Sequence, residues 1–365
     1  MQSHKLRTLL FSLVLLFGSS AFAQPLKVCA TVPELGSLAR EVGGDRVTVV
    51  TFAKGTEDAH FIEAKPSFIK SLSECDAYAQ IGMDLEIGWA PVLLREARNS
   101  NVLPGARGYI DASTVISPLE VPTAVIDRSM GDVHPFGNPH YLLDPLNGLR
   151  VAGLLRDRFS DLQPGSQQYF ADRYGAFRQR LGAVLVGETL AKKYDVEKLA
   201  VLLERGKLDD FLKSQGEQAL LGGWFALLHP YHGVKLVSDH NIWPYFMARY
   251  GLRLVGTLEP KPGMPPTTAH LSALVNEMKA NGVKAVLATA YYDARYADFV
   301  SQNTGAKVVN MAHQVGARPG TEEYLTMMDY NVRQLTAALQ GISDSNRDAE
   351  KGKAVKRAQS KRDTP

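Results

Sequence analysis

Short apolar runs alternate with amphipathic helical stretches in both halves of the chain. This strand, helix, strand order is typical of βαβ units, in which helices cover both faces of a parallel sheet. The predicted strands are Leu26 to Val32, Val47 to Phe52, Ala77 to Ile81, Val234 to Val237, Leu252 to Thr257, Ala285 to Thr289 and Lys307 to Met311. The predicted helices between them are near Leu35 to Val42, Pro66 to Ser73, Trp243 to Tyr250, Thr268 to Ala280 and Ala294 to Asn303. We therefore expect an α/β fold with two lobes.

The middle of the chain, residues 145 to 228, carries helical signals and no clear strand. Asp144 followed by Pro145 predicts a helix start, because Asp is favoured at the N-cap and Pro at the first helical position. The stretch from Gln167 to Leu185 predicts a long helix that joins the lobes and restricts their relative motion. Residues 187–217 read as a helical insertion of unspecified role.

The two ends of the chain differ in composition from the rest. Residues 1–23 have a basic start, an apolar run from Leu9 to Phe17 and a small-residue cleavage site, so we expect a signal peptide and a periplasmic protein. Gln24, not a cysteine, follows the expected cleavage site, which argues against a lipid anchor. The polar, basic tail at 343–365 is expected to be disordered.

These patterns divide the chain into five parts. They are a signal peptide at 1–23, an N-terminal α/β lobe at 24–165, a linking helix plus helical insertion at 166–228, a C-terminal α/β lobe at 229–342 and the tail at 343–365.

Charge and cysteine content limit the function. The formal charge of +3 comes from the two ends, and the body between them is slightly acidic, which gives no reason to expect nucleic-acid binding. Cys29 and Cys75 are the only cysteines. In an exported chain they can form a disulfide, but buried free thiols fit the sequence equally well.

Four histidines carry the chemical signal: His60, His140, His240 and His313. They fall in loops at or beyond strand ends, two in each lobe, and ligands of α/β sheets bind outside the carboxyl ends of strands. A single histidine would carry little weight, but together the four predict a site in the cleft between the lobes. Neutral imidazole suits Zn(II), whereas sites for Mn(II) or Fe(II) more often include carboxylates.

Several motifs resemble those of a known family. They are Glu57-Asp-Ala-His60, Asn138-Pro-His140, His240 with Tyr245-Phe246, and Glu259-Pro-Lys-Pro-Gly263. They resemble the zinc/manganese ABC transporter solute-binding proteins of cluster A-I, the ZnuA/TroA-like family. The resemblance implies two four-stranded, parallel-sheet (βα)4-type lobes joined by a long rigid helix, with the metal bound in the interlobe cleft.

The resemblance also implies the ligands. The first three family ligands fall on His60, His140 and His240, and a histidine at the third position is typical of the zinc-type members. Many members have an aspartate at the fourth position, where this chain has His313. A water molecule or Glu57 is an alternative fourth ligand.

Four other polar residues are candidates for roles beside the metal: His134, Asp144, Asp239 and Glu259. His134 either captures metal near the cleft mouth or is a surface residue, and both interpretations remain open. Ligating histidines generally donate their second N–H to a carboxylate or carbonyl, for which Asp144, Asp239 and Glu259 are candidates.

The predicted function is that of a monomeric periplasmic receptor that captures Zn(II) for an inner-membrane ABC permease, with no catalytic activity. A periplasmic metallochaperone is a second candidate partner, and no nucleic acid is expected. The alternatives are an Mn(II) or Fe(II) receptor of the same family, a secreted zinc hydrolase and an adhesin-like protein. The hydrolase lacks support because no His-Glu-x-x-His or Gly-x-Ser-x-Gly motif is present. The missing lipid-attachment cysteine weighs against a surface adhesin.

Overall fold

Two four-stranded parallel sheets form the framework of the protein. The computed structural model describes residues 24–123, 134–261 and 263–340. The strands are β1 (Leu26–Ala30), β2 (Val47–Thr51), β3 (Ala77–Gln80), β4 (Tyr109–Asp111), β5 (Lys235–Ser238), β6 (Arg253–Thr257), β7 (Ala285–Ala288) and β8 (Lys307–Asn310). Their spatial order is β2-β1-β3-β4 in the first lobe and β6-β5-β7-β8 in the second. The predicted α/β fold with two parallel-sheet lobes is thus confirmed.

Helices cover the sheets and connect the lobes. They are α1 (Pro33–Gly43), α2 (Pro66–Ser73), α3 (Ala90–Ala97), α4 (Pro145–Leu162), α5 (Gln167–Val186), α6 (Glu188–Lys193), α7 (Val196–Glu204), α8 (Leu208–Gln215), α9 (Gly223–Leu228), α10 (Pro244–Tyr250), α11 (Thr268–Asn281), α12 (Ala294–Thr304) and α13 (324–340). As predicted, α5 is a long helix in the middle of the chain, and the predicted insertion contains α6 to α8. The residue numbers of the lobe boundaries stay predictions.

The first sheet is packed on both faces. Val28 and Ala30 face one apolar cluster, whereas Cys29 points into a second cluster with Tyr78 and Leu93, as the alternation of a strand requires. A disulfide joins Cys29 to Cys75, with their Cα atoms 6.1 Å apart. Of the two possibilities left open by the sequence, the structure therefore has the bridge.

The lobes are held together by buried polar contacts and by apolar packing. Tyr245 of α10 donates a hydrogen bond to the carbonyl of Asn138 and accepts one from the amide of Leu119, at 3.0 and 2.9 Å. Arg249 forms a paired ion bridge with Asp144 at 2.8 and 2.6 Å. One apolar cluster includes residues of both sheets. The site between the lobes is therefore built on a well-connected scaffold.

Two predicted segments, the signal peptide at 1–23 and the tail at 343–365, lie outside the described residues. Within the described residues, no helix combines the length and the apolar character required to span a bilayer.

Candidate metal centre

Three of the four predicted histidines meet between the lobes. Each of His60, His140 and His240 offers one ring nitrogen, and these three atoms lie within 4.8 Å of one another. Their ring centroids are 5.4 to 6.0 Å apart. Nitrogens bound to one tetrahedral zinc lie about 3.3 Å apart, given Zn–N bonds of about 2.0–2.1 Å. Small side-chain movements would therefore bring all three donors onto a single ion.

The His60 ring is oriented by its own loop, between β2 and α2. Asp58 accepts hydrogen bonds from both the amide and the Nδ1 of His60, at 3.0 and 2.7 Å. Trp89 stabilises the loop by donating its indole N–H to the carbonyl of Ala59 at 2.9 Å. With Nδ1 engaged, Nε2 is the nitrogen that can bind a metal ion, and it lies 3.0 Å from Nε2 of His134.

His240 follows β5 directly and is held on several sides. Its Nδ1 lies 2.7 Å from Oε2 of Glu259, which follows β6. Its carbonyl accepts a hydrogen bond from Ser238 at 2.6 Å, and its ring stacks on Tyr292 at a centroid distance of 5.9 Å. These contacts also leave Nε2 of His240 facing the other histidines.

The His140 loop is coupled to the His240 loop through the side chains of Asn138 and Glu120. Asn138 accepts a hydrogen bond from the amide of His140 at 3.0 Å and donates one to the carbonyl of Asn241 at 2.8 Å. Glu120 accepts from the side chains of both Asn138 and Asn241, at 3.1 and 2.7 Å. The relative position of the two ligand loops is thus set by direct contacts between the lobes.

The electrostatics favour a doubly charged cation. Burial, followed by the neighbouring His60 and His240, holds the pKa of His140 well below its ordinary value, so its ring stays neutral and able to ligate. Burial alone would raise the pKa of Asp58, but the hydrogen bond and charge of His60 outweigh it and the pKa is lowered. The carboxylate of Asp58 therefore stays ionised beside the cluster, where it compensates positive charge.

His313, the predicted fourth ligand, lies outside this group of donor atoms. It is 5% exposed, and its ring packs edge-on against Tyr291 at 4.6 Å. It shares a small cavity of about 30 Å³ with His140 and Glu34. Its ring nitrogens lack a well-formed hydrogen bond within the described structure, and burial lowers its pKa to about 3. Glu57, the alternative ligand, accepts a hydrogen bond from the amide of Lys54 in its own turn.

His134 lies next to the cluster. Its Nε2 is 3.0 Å from Nε2 of His60, and the two ring centroids are 5.1 Å apart. Burial, followed by the charges of His60 and His240, lowers the pKa of His134 to about 4. Of the two interpretations of His134, the structure favours a position at the cleft mouth.

The three predicted supporting carboxylates have three different roles. The contact of Glu259 with the His240 ring is confirmed. Asp239 instead accepts from the backbone amide of His240 at 2.8 Å, and Asp144 caps α4 and pairs with Arg249. Sequence reasoning missed Asp58, although an aspartate two residues before a histidine is a common local hydrogen-bonding arrangement.

Comparison with known proteins shows the family to which the chain belongs. A profile of the family described as "Zinc-uptake complex component A periplasmic" (ZnuA) matches residues 28–191 and 225–338. The unmatched residues between these ranges include α7 and α8 and overlap the predicted insertion.

Curated relatives cover nearly the whole chain. The manganese-binding lipoprotein MntA of Halalkalibacterium halodurans is 21% identical over 88% of this chain and 91% of its own length. The manganese ABC transporter substrate-binding lipoprotein PsaA of Streptococcus pneumoniae is 22% identical over 87% of this chain and 90% of its own.

Solved structures share the fold. A crystal structure of ZnuA has a TM-score of 0.60 at 20% identity and covers 88% of this chain and 99% of that one. A cadmium-bound periplasmic metal-binding protein from Candidatus Liberibacter asiaticus has a TM-score of 0.62 at 14% identity, covering 86% and 99%.

Fold, site and relatives together define a class: the chain is a metal-binding substrate-binding protein of an ABC transporter, an extracytoplasmic receptor and not an enzyme. Within that class, it belongs to the ZnuA family. Such receptors act together with a membrane permease and an ATPase.

Proposed function

We propose that this protein captures Zn(II) in the periplasm and delivers it to an ABC-type permease. The observation that carries the proposal is the meeting of His60, His140 and His240 between the lobes, with three ring nitrogens within 4.8 Å. A donor set of neutral imidazoles suits zinc and other late first-row ions better than harder ions. The metal is the cargo, so no chemical step on it is required.

The surrounding charges support a divalent cation as the cargo. Asp58 and Glu259 each contact the Nδ1 of a ligand histidine at 2.7 Å. Such contacts fix the ring orientation and raise the basicity of the coordinating nitrogen. Two carboxylates also match the two positive charges of the ion without occupying its coordination positions.

A manganese receptor is the second candidate, because the relatives MntA and PsaA are named for manganese. Manganese is a harder ion that prefers carboxylate oxygens. In this site the carboxylates of Asp58 and Glu259 instead contact histidine rings. We therefore rank zinc first.

The remaining parts of the proposal concern place and partners. We propose a periplasmic monomer without a lipid anchor, although several relatives are named lipoproteins. The permease partner follows from the class, and a metallochaperone that loads the site is a further candidate partner.

Competitive titration of the metal-free protein tests the metal and the ligands together. We expect the affinity for Zn(II) to exceed that for Mn(II) by about a thousandfold or more, following ligand type and the Irving–Williams order. His140→Ala should abolish tight zinc binding, whereas His229→Ala, a histidine paired with Asp209 on the surface, should not. A preference for manganese, or unchanged zinc affinity in the His140 variant, would refute the proposal.

A further inference from the structure

A second pocket lies in the first lobe, outside the carboxyl ends of β3 and β4. It has a volume of about 710 Å³, and its lining includes the last residue of each strand, Gln80 and Asp111. Ligand pockets commonly measure about 300–1,000 Å³, and ligands of α/β sheets bind at this end of the strands. None of the described residues that line the pocket is a candidate metal ligand. The metal centre therefore does not account for it.

Apolar side chains form much of the wall of this pocket, and several of them are exposed. Ile87 is 66% exposed, Phe136 is 60% exposed and Leu103 is 38% exposed. Single exposed apolar side chains are common, but a group of them around one concave surface is typical of a binding site. A ligand with an apolar body would remove this surface from water.

The polar part of the pocket is acidic. Asp84, Glu86 and Asp111 each contribute a carboxyl group, whereas Arg95 is the one basic residue among the described lining residues. Arg95 is exposed and pairs with Glu96, with Nε and Oε1 3.0 Å apart, so its charge is already compensated. The pocket therefore favours a positively charged ligand and repels an anion.

Tyr109, which also lines the pocket, shows the effect of these acidic groups. Burial, followed by the charges of Asp111 and Glu86, raises the pKa of Tyr109 to about 12. Its environment thus disfavours a further negative charge. Its neutral ring suits a cation as well, because the face of an aromatic ring attracts positive charge.

Asp84 differs from the other two acids because its carboxylate is unpaired. Within the described residues, its side chain has no hydrogen bond and no ion pair, and burial alone raises its pKa. Asp111, by contrast, accepts from the amide and hydroxyl of Ser113 at 3.0 and 2.6 Å. Glu86 accepts from the hydroxyl of Thr31 at 2.7 Å. A cationic ligand would give Asp84 the partner that the chain does not supply.

The backbone holds Asp84 at the wall of the pocket in an uncommon conformation. Gly82, Met83 and Asp84 have φ angles of +78°, +51° and +63° in succession. Positive φ is costly for Met and Asp, and such strain persists where surrounding contacts impose it, often at binding sites. Glu86 imposes it here, since its carboxyl group accepts hydrogen bonds from the amides of Ile81 and Gly82 at 2.7 and 3.1 Å.

We propose that this pocket binds a small organic cation, whose ammonium group lies beside Asp84 and whose apolar body packs against Ile87, Leu103 and Phe136. A bare metal ion fits less well, because Asp84 is the only unpaired carboxylate in the described wall and much of the remaining wall is apolar. The inference goes beyond metal transport and does not depend on which ion the cleft between the lobes binds.

Calorimetric titration of the full chain tests the site with 4-phenylbutylamine and 5-phenylpentanoate. The two compounds share a phenylbutyl body and differ in the sign of their charge. We expect the amine to bind with a dissociation constant of about 0.1 mM or lower, and the anion to bind at least about tenfold more weakly. Zinc-loaded protein should bind the amine equally well, because no candidate metal ligand lies in the described wall.

Two variants and a control locate the binding site. Asp84→Asn removes the charge but keeps the backbone, since asparagine adopts positive φ readily, and it should weaken amine binding by about tenfold. Ile87→Ala shortens an exposed wall residue and should weaken amine binding by about threefold or more. Asp157→Asn removes one charge from the exposed side of α4 and should leave the affinity unchanged. Thermal melts establish that each variant is folded.

Three results would overturn the inference. Equal binding of the amine and the anion would show that the pocket does not recognise charge. Amine affinity that is unchanged in both Asp84→Asn and Ile87→Ala would place the compound elsewhere. Competition between zinc and the amine would place the compound in the metal cleft. The proposed metal function stays separate, because it is tested by zinc titration of His140→Ala.

Discussion

At the scale of single residues, the sequence alone identifies the candidate ligand histidines, but it identifies their surroundings only in part. His60, His140 and His240 stand in loops whose position relative to strands can be predicted. The contact between His134 and His60 joins residues 74 positions apart, and no local pattern encodes it. His313 also follows the end of a strand, yet its ring packs against Tyr291. The sequence does not predict this contact.

Glu34 illustrates a residue whose environment depends wholly on the fold. It is 6% exposed at the start of α1, and its Oε2 has no hydrogen-bond partner within the described structure. Burial raises the pKa of Glu34 from 4.5 to about 8. Between pH 4.5 and about 8, the Glu34 carboxyl therefore keeps its proton in the folded state and loses it in the unfolded state. The resulting contribution to stability is complete below pH 4.5 and is lost as the pH rises through about 8.

Glu34→Gln should remove this pH dependence. Because glutamine does not ionise, the free energy of unfolding of the variant relative to the wild type should increase by about 4 kcal/mol between pH 5 and pH 9. Denaturant unfolding of the metal-free proteins across this range measures the difference. Glu96→Gln is the control, since Glu96 is exposed beside Arg95 and should show no such trend. If the free energy of unfolding depended on pH in the same way for Glu34→Gln and the wild type, the raised pKa of Glu34 would be contradicted.

At the scale of elements, the alternating apolar pattern predicted most of the fold. Seven strands were identified within one or two residues, because each is an apolar run bounded by turn residues. β4 was missed because Tyr109–Asp111 has only three residues and no apolar run. α3, Ala90–Ala97, was missed because it follows a turn with two non-glycine residues at positive φ, which has no clear sequence signature. The pairing order of the strands depends on long-range contacts and required the structure.

The start of α4 links local helix formation to the lobe interface. Asp144 caps the helix by accepting from the amide of Leu146 at 2.9 Å, and it also pairs with Arg249. The two side chains of the ion pair are only 8% and 10% exposed. Removing one partner of a buried pair leaves the other charge without compensation, which is far more costly than losing a surface pair.

Asp144→Ala should therefore destabilise the protein by about 3 to 5 kcal/mol. Asp157 belongs to the helix that Asp144 caps, but its side chain is 62% exposed. Asp157→Ala should therefore lower the free energy of unfolding by less than about 1 kcal/mol. The double variant Asp144→Ala with Arg249→Met should recover part of the loss because the unpaired charge is gone. Urea unfolding of the metal-free proteins measures all three. Equal effects of the two alanine variants would show that the ion pair contributes nothing.

At the scale of the whole molecule, the question is whether the lobes unfold together. Domains within one chain usually have modest interfaces and move independently. Here one apolar cluster contains Val28 and Ala79 of the first sheet as well as Leu236 and Leu287 of the second. Because the core is continuous, unfolding of one lobe would expose apolar surface of the other, so the two lobes are expected to unfold together. The continuous core also keeps the ligand histidines of the two lobes in register.

The disulfide provides a test of that coupling because it lies in the first lobe alone. It joins cysteines 46 positions apart in sequence. In the chain-entropy account, opening a loop of this length costs about 4 kcal/mol. If the lobes unfold as one unit, Cys29→Ser with Cys75→Ser should lower the stability of both lobes by this same amount.

Native-state hydrogen exchange measures the opening free energy of each lobe separately. The slowest amides of β1 and β5 report the largest opening free energy of each sheet. We expect these values to agree in the wild type and to fall equally in the double serine variant. Reductant should lower both values in the wild type and leave the variant unchanged, which controls for effects of the serines themselves. A fall confined to β1 would show that the lobes open independently, and the interlobe site would then depend on the ion itself to hold its two halves together.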